Sequence, residues 1–143
     1  MENKELLQCI YDDSKMGVAN LTALLNTIKH KDNKITNTIE DILKKYESFI
    51  KDSEKSFKKH SEIPKVYKTM AKVGAFMGIK IELSKDNSDS RVANMLIQGL
   101  TMGSININKN LEKFNKADKK ILNLGNNLKT FQEQSIEQLK KYL

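Results

Sequence analysis

The stretch "MLIQGLTMGSIN", residues 95–106, decides how this chain is read. It lies in the longest uncharged run, Val92–Asn108, and carries Gly99 and Gly103 on what is otherwise a helical pattern. A glycine inside a helix is about 1 kcal/mol less favourable than alanine, so two of them ask for a reason. A membrane dimer motif is one candidate. The 17-residue run contains Asn94, Gln98, Asn106 and Asn108, and a span needs roughly 20 mostly apolar residues. A transmembrane reading fails and a cofactor pocket finds no ligating residues in the run, which leaves a close helix crossing.

The second half of the stretch supplies a partner for that crossing. "TMGSINI" (101–107) falls on "KMGVANL" (15–21) at an offset of 86 residues, sharing Met, Gly and Asn. The same offset sets Asp32 on Asp118, Lys34 on Lys120, Ile35 on Ile121, Asn37 on Asn123, Glu47 on Glu133 and Ile50 on Ile136, without a gap. Apolar positions follow: Leu6 on Val92, Ile10 on Leu96, Leu25 on Leu111, Ile42 on Leu128. A fixed spacing marks an internal repeat. Two amphipathic hairpins also match in part by chance, so the sequence leaves duplication and coincidence both open. Gly17 and Gly103 are equivalent under the offset, and a contact between their helices, completed by Ser14 and Gly99, is the expected close crossing.

Outward from the repeat, four stretches keep steps of three and four between apolar residues, the mark of amphipathic helices. They cover about 3–29, 34–58, 89–114 and 118–142. The links "HKDN" (30–33) and "NKAD" (115–118) are short and polar, so each pair of helices forms an antiparallel hairpin. Between the hairpins, 59–87 reads differently. Pro64 favours a helix start and Ser61 reads as its cap. Val66, Met70, Val73 and Met77 then give a further amphipathic helix, whose pattern reaches Leu83 if "GIKIEL" continues it. The whole is one all-α domain over 1–143: hairpin 1 at about 3–58, a crossover segment at 59–87, and hairpin 2 at about 89–142. A long crossover lets the second and third helices run parallel, as in a ferritin-like four-helix bundle.

The strings "YDDSKMG" (11–17), "MLIQGLTMGSIN" (95–106) and "QLKKYL" (138–143) resemble a group of small, uncharacterised bacterial proteins of ferritin-like four-helix build. The resemblance covers the whole chain and implies a fold more than an activity, since one fold hosts many functions.

Composition narrows the functional classes. Of 143 residues 38% are hydrophobic, enough for a packed core. The net charge of +7 is carried almost wholly by lysine, with Arg91 the only arginine. Arginine's planar fork dominates base and bidentate phosphate recognition, so nucleic acid is a weak expectation. The lysines of 51–72, namely Lys51, Lys55, Lys58, Lys59, Lys65, Lys68 and Lys72, form a candidate anion-binding face; a solvated helix end is the commoner meaning of such a run. Cys9 is the single cysteine, so no internal disulfide forms and a cytoplasmic location is the default.

Catalytic and metal signatures are sparse. Diiron bundles use Glu-x-x-His pairs, and neither His30 nor His60 has a glutamate three residues before it. No metal is expected; an all-carboxylate set of Asp13 (or Asp12), Glu47 and Glu133 is the remaining candidate. Tyr11, Asn94 and Gln98 lie beside the apolar seams as a candidate polar pocket. No phosphate loop, zinc spacing or nucleophile elbow occurs, and no cofactor is implied. The expectation is a non-enzymatic protein with an interaction or structural role, its partner a protein or a second copy of itself. A metal- or small-ligand-binding bundle is the alternative, followed by a binder of nucleic acid or an anionic surface.

Overall fold

The computed structural model describes residues 2–28, 32–66, 86 and 88–143. Within them lie helices α1 (Glu2–Ile28), α2 (Thr36–Lys59), α3 (Asp89–Lys113) and α4 (Lys119–Leu139), followed by a 3-10 turn at Lys140–Tyr142. No strand occurs among the described residues, and the fold class is all-α. The expected crossover helix, with Met70, Val73, Met77 and Leu83, lies outside the described residues.

Local chemistry explains where the helices begin and end. Glu2 and Glu5 sit in the first turn of α1 and Asp89 in that of α3, where the exposed N–H groups favour negative charge. Ser88 caps α3, its hydroxyl accepting from the Arg91 backbone N–H at 3.3 Å. At the end of α2, Ser61 has φ 56. The Glu62 N–H donates to the Phe57 carbonyl at 2.8 Å, and the Ser61 N–H to the Lys58 carbonyl at 3.1 Å. These two bonds make a Schellman motif, which places a left-handed residue one step past the helix. Ser61 thus ends α2, a position glycine usually holds.

Specific contacts fix the direction of each helix. Tyr11 meets Phe57 edge-on at 6.3 Å and Gly17 faces Tyr46, so α1 and α2 are antiparallel. Thr38 hydrogen-bonds Tyr142 at 2.8 Å, and His60 pairs with Asp118 at 3.1 Å, so α2 and α4 are antiparallel. The Asp118 N–H donates to Asn3 Oδ1 at 2.7 Å and Gln132 donates to Asp13 at 2.6 Å, so α1 and α4 run parallel. Asn106 donates to Cys9 Sγ at 3.6 Å while Asp13 lies beside Gly103, so α1 and α3 are antiparallel. The order is up, down, down, up. The end of α2 and the start of α3 lie at opposite ends of the bundle, as the two-hairpin reading requires.

The repeat is visible in the burial pattern. In α2 the buried Ile39, Ile42, Tyr46, Phe49 and Ser53 fall, on the offset of 86, on Gly125, Leu128, Gln132, Ser135 and Leu139, all buried in α4. In α1 the buried Leu6, Leu7, Ser14 and Leu21 fall on Val92, Ala93, Leu100 and Ile107, all buried in α3. One apolar stripe, used twice, builds the core. Where the repeats differ, volumes compensate. Gly125 stands where its mate is Ile39, and a Cβ there would lie 2.7 Å from Leu111 Cδ2 and 3.5 Å from Ile10 Cδ1. Leu111 and Ile10 fill the space the missing side chain leaves.

Candidate functional site: a groove between α1 and α3

The repeat also produces a groove of about 520 Å³ along α1 and α3. Its walls are repeat-related pairs: Met16 and Met102, Gly17 and Gly103, Asn20 and Asn106, and Asp13 opposite Gly99. Leucines from both helices fill the space between them. At Gly17 a Cβ would lie 2.7 Å from the Tyr46 ring, and at Gly103 it would lie 2.7 Å from Gln132 Nε2. Each glycine therefore receives a side chain from the second helix of its own hairpin, and Gly103 also meets the Asp13 carboxylate of α1, whose Oδ1 lies 3.1 Å from its Cβ position. Tyr46 and Gln132 are themselves repeat equivalents.

The expected Gly17–Gly103 crossing takes that different form. Ser14 is fully buried and its hydroxyl donates to the Ile10 carbonyl at 2.8 Å. Gly99 is exposed, and no atom lies within 4 Å of where its Cβ would be. It keeps the groove open and takes no part in a close approach.

At the floor three polar side chains meet. Gln132 Nε2 donates to Asp13 Oδ2 at 2.6 Å and to Tyr46 Oη at 3.2 Å. Gln132 is fully buried, and its Oε1 has no hydrogen-bond partner among the described residues. Burial pushes the Asp13 carboxyl up to about 6, against the stabilising bond from Gln132. Burial, then the Asp13 charge, raises the Tyr46 hydroxyl above its ordinary range. Hydropathy alone reveals little of this. Tyr46 reads as a core aromatic, while Gln132 is a polar residue at a buried phase of α4, four after Leu128 and seven before Leu139. The offset of 86, which makes Gln132 the mate of a buried tyrosine, is the further signal that it points inward.

The other sequence candidates lie apart from this cluster. Glu47 and Glu133 are exposed, so the three carboxylates do not converge. Among the described residues no group of three His, Cys, Asp or Glu side chains is placed to hold a metal. Tyr11 is buried against Phe57 with Lys15 Nζ 5.5 Å from its ring centroid; Asn94 is half-buried and Gln98 exposed, and none of the three lines the groove. Lys51, Lys55, Lys58, Lys59 and Lys65 are all exposed. Lys65 is held through its backbone, which exchanges two hydrogen bonds with the Gln8 side chain at 2.8 and 3.0 Å. Lys68 and Lys72 lie outside the described residues. Cys9 is half-buried beside the groove; burial and the charges of Asp13 and Asp12 push its thiol up to about 12, so it stays protonated and unreactive. No described helix is long and apolar enough to cross a membrane.

Comparison with protein-family models, with curated proteins and with solved structures returned no match. The likeness read from "YDDSKMG" and "MLIQGLTMGSIN" therefore has no counterpart in those comparisons.

Proposed function

We propose that this chain is a non-enzymatic, cytoplasmic binding bundle of ferritin-like build, whose groove between α1 and α3 accepts a small, mostly apolar molecule. The observation that carries the proposal is the groove itself. Its volume of about 520 Å³ falls within the roughly 300–1,000 Å³ of small-molecule sites. Leucine and methionine walls surround one convergent polar cluster, the usual arrangement of such sites. Methionine at the lips, with Met16 41% and Met102 73% exposed, gives a surface that repacks around differing shapes. The up-down-down-up helix order supports the ferritin-like part of the reading.

The neutral fluorophore 1-N-phenylnaphthylamine tests the groove directly. It is expected to bind the wild-type chain with one saturable site and brightened emission. Gly99→Leu places a side chain where nothing stands within 4 Å, filling the groove without touching the core. The variant is expected to melt no lower than wild type and to bind the dye about tenfold or more weakly, a loss of about 1.4 kcal/mol. Equal binding by wild type and Gly99→Leu would refute the proposal.

A further inference from the structure

The polar floor says what kind of molecule the groove takes. Among the described residues Asp13 is the one charged side chain lining it. Burial raises its carboxyl, and among the described residues only the neutral amide of Gln132 offsets that rise, with no lysine or arginine contributing. Its Oδ2 is occupied by Gln132, while its Oδ1 lies 3.1 Å from the Cβ position of Gly103. That oxygen faces the side of α3 that carries no side chain and makes no hydrogen bond among the described residues. A second acceptor, Gln132 Oε1, is buried and likewise unpartnered. The Asp13 carboxylate lines the groove, and its Oδ1, on the α3 side of the cluster, calls for a donor that brings positive charge. Buried acceptors and unpaired charges are costly until they find one.

We propose that the molecule held in this groove is an organic cation, its ammonium nitrogen seated at Asp13 Oδ1 and its apolar body lying between Met16 and Met102. The inference rests on the groove reading above and adds the charge of the ligand. A carboxylate ligand would face Asp13 with like charge. A bare metal ion would find a single carboxylate among apolar walls, far from the ligand set that divalent ions require. The repeat makes the site one-sided. Asp13's mate is Gly99, so only one end of an otherwise paired groove carries charge.

Three probes on one skeleton separate the charge from the groove. They are 4-phenylbutylammonium, 4-phenylbutanol and 4-phenylbutyrate, titrated into the full chain near neutral pH and followed by amide chemical-shift changes. The ammonium is expected to bind about tenfold or more tightly than the alcohol, and the carboxylate more weakly than either. In Asp13→Asn the ammonium's advantage over the alcohol should be gone. If ammonium and alcohol bind wild type equally, the cation inference falls while the groove stands. If no probe binds, both fall. The wild-type comparison alone decides the matter should Asp13→Asn not fold.

Discussion

Gly17→Ala and Gly99→Ala make the same chemical change at the middle of two repeat-related helices, and the structure assigns them opposite signs. Both replacements recover about 1 kcal/mol of helix propensity. At Gly99 nothing lies within 4 Å of the new methyl group, so that gain survives and the variant is stabilised by up to about 1 kcal/mol. At Gly17 the methyl would sit 2.7 Å from three atoms of the Tyr46 ring. That ring cannot swing away cheaply. It is packed edge-on against Phe131 with centroids 5.0 Å apart and accepts from Gln132 at 3.2 Å. Displacing it adds an overpacking cost of about 1–3 kcal/mol and weakens a buried hydrogen bond of about 1 kcal/mol. The net result is a loss of about 1–3 kcal/mol, so the two alanine variants differ by about 2–4 kcal/mol. Urea denaturation followed by helical circular dichroism measures this as a midpoint difference at constant slope. A Gly17→Ala protein as stable as Gly99→Ala would refute the packing argument.

Two further outcomes are expected. Ser61→Gly relieves a left-handed residue with φ 56 and should raise stability by about 0.5–1 kcal/mol; a lower melting temperature would count against the Schellman assignment. Asp13, at about 6 in the folded chain against 3.8 ordinarily, binds its proton more tightly folded than unfolded. Its contribution to stability is therefore full below about pH 4 and is lost as pH rises through about 6. Cys9 on α1 and Tyr46 on α2 are the titratable groups that feel its charge, and α3 and α4 present Gly103 and Gln132 to it. Asp13→Asn should accordingly be more stable than wild type at about pH 7.5, by at most about 3 kcal/mol, and the advantage should vanish toward pH 4. An advantage independent of pH would contradict the burial of this carboxyl.

The helices and their pairing were legible because apolar spacing reports burial directly. The steps through Ile35, Ile39, Ile42 and Tyr46, and through Ile121, Leu124 and Leu128, carry that information without reference to any other residue. The long connection between hairpins likewise implied that the second and third helices run the same way. The site was not legible by those means. Glycine in a helix signals that something comes close, but sequence does not say what. Gly17 and Gly103 receive side chains from their own hairpins, Gly103 also meets Asp13 of α1, and Gly99 receives nothing. Gln132 sits inside although its own hydropathy assigns it to the surface, because its hydrogen bonds to Asp13 and Tyr46 satisfy one end of its amide. A polar residue at a buried phase is picked out by its spacing from Leu128 and Leu139 and by asking what its repeat mate does.

The meeting of Tyr46 with Gln132 has one more consequence. Where two like halves pack about a common axis, a residue on that axis faces its own image. Two tyrosines there would compete for one space, and two glutamines would need each to donate where the other accepts. With both hairpins on a single polypeptide that constraint does not apply, because the two equivalent positions are encoded separately. One can become the bulky ring and the other the amide that bonds it. The interior of this bundle is asymmetric at its centre for that reason, and the groove above it has a head and a tail.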